Sequence, residues 1–488
     1  MSKTESEIYK KRWIILFTVL SATFMSTLDG SIVNVALPNM SARLNVSMAA
    51  IEWVVTSFLI AVAATILIFG RLGDIKGKTK VFRFGVVLFT LGSLLCGFTN
   101  SLPVLVAARV IQAVGAAATM ATNQGIITQV FPASERGRAL GVLGTFVALG
   151  AMAGPPLGGI IVSAMSWKYI FLINVPIGII VFILTIRVFP KSNTVLNERL
   201  DGKGAFLFTA FTVLLFGALV QGQDTGYNNP IMISAFIIAL IAFWAFIMVE
   251  RRIELPLLYL KIFDNSLFSI SIVCGFISFV AISASNIILP FYFQDTLKFS
   301  PAITGLLMMV SPIVLSVVAP FSGYLSDKVG SEILTLIGLA LTSLGLLLIS
   351  TLNERSSIIM LMVYIVIMTI GNGMFQSPNN SLVMSTVPKD KLGIAGSVNA
   401  LIRNLGMVLG TSVATLLLYS RMSSKAGYRV IDYVKGRDDI FIYGMKTVYM
   451  SAAVLCALGV AITAIRLYSS KKNKKAEAQN MDMEGNLV

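Results

Sequence analysis

Along this chain, long apolar runs alternate with short polar interruptions, and the runs are too long and too uniformly apolar for the alternation of a half-buried strand. Runs of bilayer-spanning length begin near positions 13, 51, 81, 103, 139, 167, 204, 230, 267, 301, 333, 358, 394 and 446, which predicts fourteen helices. One interruption stands out. Residues 70–80, between the runs 51–69 and 81–99, read Gly70-Arg71-Leu72-Gly73-Asp74-Ile75-Lys76-Gly77-Lys78, and Gly323-Tyr324-Leu325-Ser326-Asp327-Lys328-Val329-Gly330 repeats the G-x-L-x-D-x-x-G spacing 253 residues later. Pro132, Gly137 and Ala139 recur as Pro388, Gly393 and Ala395 at an offset of 256. Two pairs at nearly one offset imply a duplicated half.

The copies join helices two to three and ten to eleven, equivalent places in two six-helix halves only if helices seven and eight are an inserted pair. The expected plan is an all-α polytopic membrane protein arranged 6+2+6. Its parts are an N-terminal segment 1–12, a first bundle 13–189, and a connector 190–266 carrying the inserted pair. A second bundle 267–468, with an external loop 421–444, and a tail 469–488 complete the chain. The loop is expected to form a small hairpin or be solvated, and the Lys-rich tail to be disordered near anionic head groups.

Composition agrees with a lipid environment: 56% of the 488 residues are hydrophobic and 12% charged. The net charge of +15 lies in short loops without aromatic interleaving, so it reads as a positive-inside bias with both termini cytoplasmic and not as a nucleic-acid surface. The chain has no His, so an imidazole relay is excluded and a proton carrier must be a carboxylate. Three isolated Cys, no clustered metal ligands and no P-loop leave no expectation of a metal, a cofactor or ATP coupling.

The residue that needs explaining is Asp29, inside the first apolar run, where a charged carboxylate costs about 2.5–3.5 kcal/mol on insertion scales. Counting about 1.5 Å per residue, Asp29 lies about 12 Å below Leu37 and Arg109 about 9 Å below Pro103, so the two share a depth. A structural ion pair and a proton- or cation-binding role both satisfy this arrangement; buried ionisable groups in spans favour the second. Glu52, Glu250 and Asp295 read as helix-end residues, which leaves no second deep carboxylate and disfavours dicationic substrates.

Gly70, Leu72, Asp74, Gly77 and Lys78 resemble the signature loop of the major facilitator superfamily. Gly323, Asp327 and Gly330 are its weaker second copy, with Ser331 where the basic residue would stand, and Gly73 and Ile75 depart from the usual pattern in the first. Arg109, Gln112 and Gly115 are similar to the R-x-x-Q-x-x-G of the fourth helix. Gly150, Gly154, Pro155, Gly158 and Gly159 match the G-x-x-x-G-P-x-x-G-G of antiporters, and Trp167, Phe171, Asn174, Pro176 and Gly178 follow as in fourteen-helix drug:proton antiporters. Residues 371–381 and 399–406 extend the resemblance into the second half.

The resemblance implies a monomeric exporter in the cell membrane, not an enzyme, moving lipophilic small molecules, cations foremost, against protons. Its central cavity would be lined by helices one, four, nine and twelve, with Asn372 and Gln376 among its sparse polar groups. Gly70, Asp74, Gly77, Lys78, Gly323, Asp327 and Gly330 would form a conformational gate, with Asp74 as its latch. Asp29, Arg109 and Gln112 would carry coupling or substrate, and the Gly-Pro helix would control coupling. Protons and membrane lipids are then the partners besides the substrate. A lipid or glycolipid exporter on the same scaffold is the alternative.

Overall fold

The structure, a computed structural model, describes residues 3–189, 200–253, 256–387 and 392–485. Most of the basic connector and Pro388 of the second repeat lie outside the described residues, as do the side chains of Asp327 and the basic tail. Among the described residues every regular element is helical, and fourteen helices are long and apolar enough to cross a membrane. Helices satisfy their own backbone hydrogen bonds, which a bilayer requires.

Several spans are interrupted where the chain needs a change of direction. The second span, Met48–Lys76, has a break at Glu52 between a short turn capped by Ser47 and the helix Trp53–Lys76. The sixth, Tyr169–Val188, jogs at Ile173. The ninth, Ser266–Thr296, closes with a π turn over Tyr292–Thr296, and the tenth, Pro301–Ser326, breaks at Met309.

The two halves meet at the end opposite Asp74, here called the far end. An apolar cluster there draws Leu37 and Met40 of the first span together with Ile287, Phe291, Tyr419 and Tyr449. Gln294 donates to the carbonyl of Val35 at 3.0 Å, and Ser163 accepts from the Ala302 amide at 3.2 Å. The chain between the helices ending at Ala426 and starting at Asp438 is neither a hairpin nor simply solvated. Val430 is buried, and Tyr433 and Val434 pack on the far-end cluster. At the Asp74 end each half is tied internally, by Arg12–Glu135 at 3.0 Å and Arg466–Glu332 at 3.9 Å.

The seventh and eighth spans, Gly202–Gly222 and Pro230–Glu250, pack chiefly on each other through Phe208, Phe211, Phe243 and Phe246. Phe216 joins them to Ile60 and Val408, at the seam of the second span and the thirteenth, Val398–Ala426. The last helix, Asp438–Gly485, runs on through the tail where disorder was expected; the Lys, Ala, Glu, Gln and Met there are good helix formers.

Candidate functional site

Asp29 sits mid-way along the helix Lys3–Leu44 with 0% of its surface exposed, and Arg109, in the helix Leu102–Val130, is 1% exposed. Arg109 Nη1 donates to Asp29 Oδ2 at 2.5 Å and to Gln112 Oε1 at 2.6 Å, while its Nε donates to the Val54 carbonyl at 3.0 Å. Gln112 Nε2 donates to Asp29 Oδ1 at 2.8 Å and to Ser93 Oγ at 2.7 Å. Asn174 Nδ2 adds a third bond to the carboxylate, reaching Oδ1 at 2.9 Å. The guanidinium carbon lies 4.2 Å from the Phe58 ring centroid and 5.5 Å from that of Phe171, which adds cation–π attraction in a dry setting.

The cluster draws on the first, second, third, fourth and sixth spans. Its three-residue spacing puts Gln112 one helical turn from Arg109, so both reach one carboxylate. Both oxygens of Asp29 are thus held, Oδ2 by one donor and Oδ1 by two. A proton on it would replace its ion pair with Arg109, whose remaining bonds go to Val54 and Gln112.

The fifth span, Val142–Ala164, lies against Asp29's own helix. A side chain at Gly150 would strike Thr27 and Phe24, one at Gly154 would strike Ser31 and Ile32, and one at Gly158 would come within 2.8 Å of Ile32. Ser31 also donates to the Gly150 carbonyl at 3.2 Å. On the other side, Gly159 faces Pro301 and Ala302, and Gly305 faces the Pro155 carbonyl and Pro156. The Gly-Pro helix is thus wedged between the first span of one half and the tenth span of the other.

At the repeated loops, Gly77 and Gly330 adopt matching left-handed conformations, φ 97° and ψ 127° against φ 97° and ψ 136°. This turn favours Gly because a Cβ there meets the carbonyl. Asp74 pairs with Lys78 at 2.8 Å across the turn and is half-exposed. No ion pair joins Asp74 to the opposite half among the described residues. Gly73 lies close to the fourth span, its Cβ position 3.0 Å from Thr122, whereas Gly70 has open space and Gly323 faces Ser377 Oγ.

Of the sequence-derived candidates, the fold brings Asp29, Arg109 and Gln112 together. Asn372 and Gln376 form a separate pair in the twelfth span, Ile358–Ser385, with Gln376 Nε2 donating to Asn372 Oδ1 at 2.9 Å. Asn174, marked in the sequence only as part of the resemblance over 167–178 and not as a site residue, joins the site, and Ser93 and Val54 do so from positions that carried no signal.

Glu52 stands at a helix end, the cap between the turn Met48–Ile51 and the helix Trp53–Lys76, yet it is 1% exposed and lines a crevice between the halves with Leu37, Ile288, Thr415 and Tyr419. Glu250 also stands at a helix end and is buried, accepting from the Leu258 amide at 3.0 Å.

The family described as Major Facilitator Superfamily matches over residues 19–411 and again over 271–483. The riboflavin transporter RibZ of Clostridioides difficile is 35% identical over 467 residues, covering 95% of this chain and 99% of that protein. The multidrug resistance protein Stp of Mycobacterium tuberculosis is 30% identical over 402 residues, 82% of this chain and 75% of its own length. Multidrug resistance protein 3 of Bacillus subtilis is 29% identical over 485 residues, 96% and 94% of the two chains. Among solved structures, a bacterial homologue of the human lysosomal transporter Spinster, inward-facing and unoccupied, superposes with a TM-score of 0.64. At 15% identity over 93% of this chain and 96% of the other, that likeness speaks for the fold alone. Fourteen apolar helices, relatives named as transporters and the family match agree: this chain is a multi-pass membrane transporter, not an enzyme, and belongs to the Major Facilitator Superfamily.

Proposed function

We propose that this transporter is a proton-coupled exporter of lipophilic small molecules in the cell membrane, of the fourteen-helix drug-antiporter type. It acts as a monomer of plan 6+2+6 with both termini cytoplasmic, and lipids surround it as solvent. The observation that carries the reading is the fully buried Asp29 with Arg109, Gln112 and Asn174 closed around it. With no His in the chain, a carboxylate is the proton carrier, and this one lies deep in a span. Protonation would loosen the first span from the fourth and sixth. The first span also bears the Gly-Pro helix, which touches the second half at Pro301, so a charge change at Asp29 has a packed route to the contact between halves.

Asp29 offers no open carboxylate to a cationic drug in this conformation, because it is fully buried and both its oxygens are held by protein donors. Coupling is therefore indirect: proton and substrate occupy different places and bias the same rocking equilibrium. The multidrug-named relatives favour drug efflux, and the relative named for riboflavin favours a second reading, dedicated transport of one flat heteroaromatic metabolite.

The test is transport in proteoliposomes under an imposed pH gradient, with tetraphenylphosphonium, an uncharged lipophilic dye and riboflavin as substrates. Wild type should move at least one of them only with the gradient, and Asp29→Asn should abolish that dependence. Gradient-driven transport by Asp29→Asn at the wild-type rate would remove Asp29 as the coupling residue. Movement of riboflavin alone would favour the dedicated transporter.

A further inference from the structure

Arg403 is a second arginine deep in a span, and the Asp29 cluster does not account for it. It stands in the helix Leu392–Ala426, eleven residues from its start, about 16 Å along the axis. It is only partly buried and has no hydrogen-bond, ion-pair or ring partner among the described residues.

Gly396, Asn399, Arg403, Gly406 and Gly410 form one stripe of that helix, while Leu405 and Val408, on another face, pack with Ile60 and Phe216. The later part of the stripe, Gly406 and Gly410, presses on Phe276 and Val280 of the ninth span, and its earlier part meets the opposite half and the twelfth span. The Gly396 Cβ position lies 3.0 Å from Gln124 Oε1, on the fourth span of the opposite half, and Asn399 Nδ2 donates to Asn380 Oδ1 of the twelfth span at 2.8 Å. Arg403 follows these two by seven and four residues, the spacing that keeps side chains on one helix face. The twelfth and thirteenth spans are antiparallel and level at Asn380–Asn399. Gln376 and Arg403, each one turn deeper, therefore share a depth on the wall between the halves.

We infer that Arg403, beside Gln376, Asn372, Asn380 and Asn399, is the recognition cation of the transport cavity, and that the transported molecule carries a planar pair of oxygen acceptors, a carboxylate or the paired carbonyls of an imide. A guanidinium presents parallel N–H donors in a rigid fork that matches such a pair, where an ammonium offers only a point charge. The amides beside it supply further donors and acceptors for a polar rim. With the Asp29 carboxylate closed off by its own partners, Arg403 sets the sign of this wall, which is positive. The inference deepens the exporter reading and rests on it for the word transport, but not for binding.

The experiment is equilibrium binding to the purified full-length protein in detergent, without any gradient. Three probes are used: riboflavin for the imide, deoxycholate for the carboxylate, and tetraphenylphosphonium for a lipophilic cation. Riboflavin or deoxycholate should bind wild type, and Arg403→Ala should weaken that binding at least tenfold. Arg403→Lys should restore deoxycholate binding better than riboflavin binding if charge dominates, and neither if the fork dominates. The ligand-free melting temperature of Arg403→Ala should stay level or rise, because the variant removes a charge with no protein partner; a structural arginine would lower it. Tetraphenylphosphonium binding alone, or paired-oxygen binding unchanged in Arg403→Ala, overturns the inference. Because no gradient is used, loss of proton coupling in vesicles would count against the exporter reading and leave this result intact.

Discussion

Arg109 and Asp29 neutralise each other in a setting from which water is excluded, so removing one partner strands the other. Breaking such a buried pair costs about 3–5 kcal/mol, so Arg109→Ala and Asp29→Asn should each lower the melting temperature of the purified protein. The double variant should recover part of the loss; strictly additive losses would mean that the pair is not coupled. Asn174→Ala removes one neutral donor to a charged acceptor, worth about 1.5–3 kcal/mol, and should weaken gradient-driven transport without abolishing it. Gly77→Ala and Gly330→Ala should each destabilise the fold by about 1–2 kcal/mol, the penalty for a Cβ in the left-handed region, and a thermal melt reads it directly. At this scale the sequence was half legible. A charge in an apolar run marks itself, as Asp29 and Arg109 do, whereas the family-like spacing around Asn174 did not say that it meets Asp29, and Ser93 is an ordinary residue until folding puts it beside Gln112. Glu52 stands at a helix end, as the sequence implies, and only the packing of the two halves buries that end.

The fifth span, through Gly150, Gly154 and Gly158, lies so close to the first that Ser31 reaches a carbonyl on it. Gly154→Leu would put a branched side chain where Ser31 and Ile32 already stand, pushing the two helices apart. Transport of every substrate should fall together, with binding of the paired-oxygen probes preserved. Loss of one substrate alone would place Gly154 in the binding surface instead. The small-residue spacing announced tight packing from the sequence. Which helix it packs on did not follow, since Gly spacing names no partner; the fold assigns one Gly face to the first span and Gly159 to the tenth.

Across the whole molecule, contacts between halves concentrate at the far end, while at the other end Asp74, among the described residues, pairs with its neighbour Lys78. An exposed pair of this kind is worth about 0–1 kcal/mol, so this pair by itself does not hold the halves together. A latch would engage only when the Asp74 ends of the two halves approach. Asp74→Asn should then enlarge the population of the state seen here, read as longer spin-label distances between the 70–80 and 323–330 loops. Unchanged distance distributions would remove the latch.

The number and length of the spans, the duplication and the presence of two charges in the membrane follow from the sequence alone, because a bilayer accepts only apolar helices and charges each exception heavily. Matching φ at Gly77 and Gly330 follows too, since the local turn depends on the residues that make it. The tertiary structure decided which end is closed, that the cluster around Asp29 draws on five spans and that Glu52 is buried between the halves. These depend on helix rotation and on contacts between residues far apart in the chain, and a pattern of apolar and polar positions does not encode which face meets which neighbour.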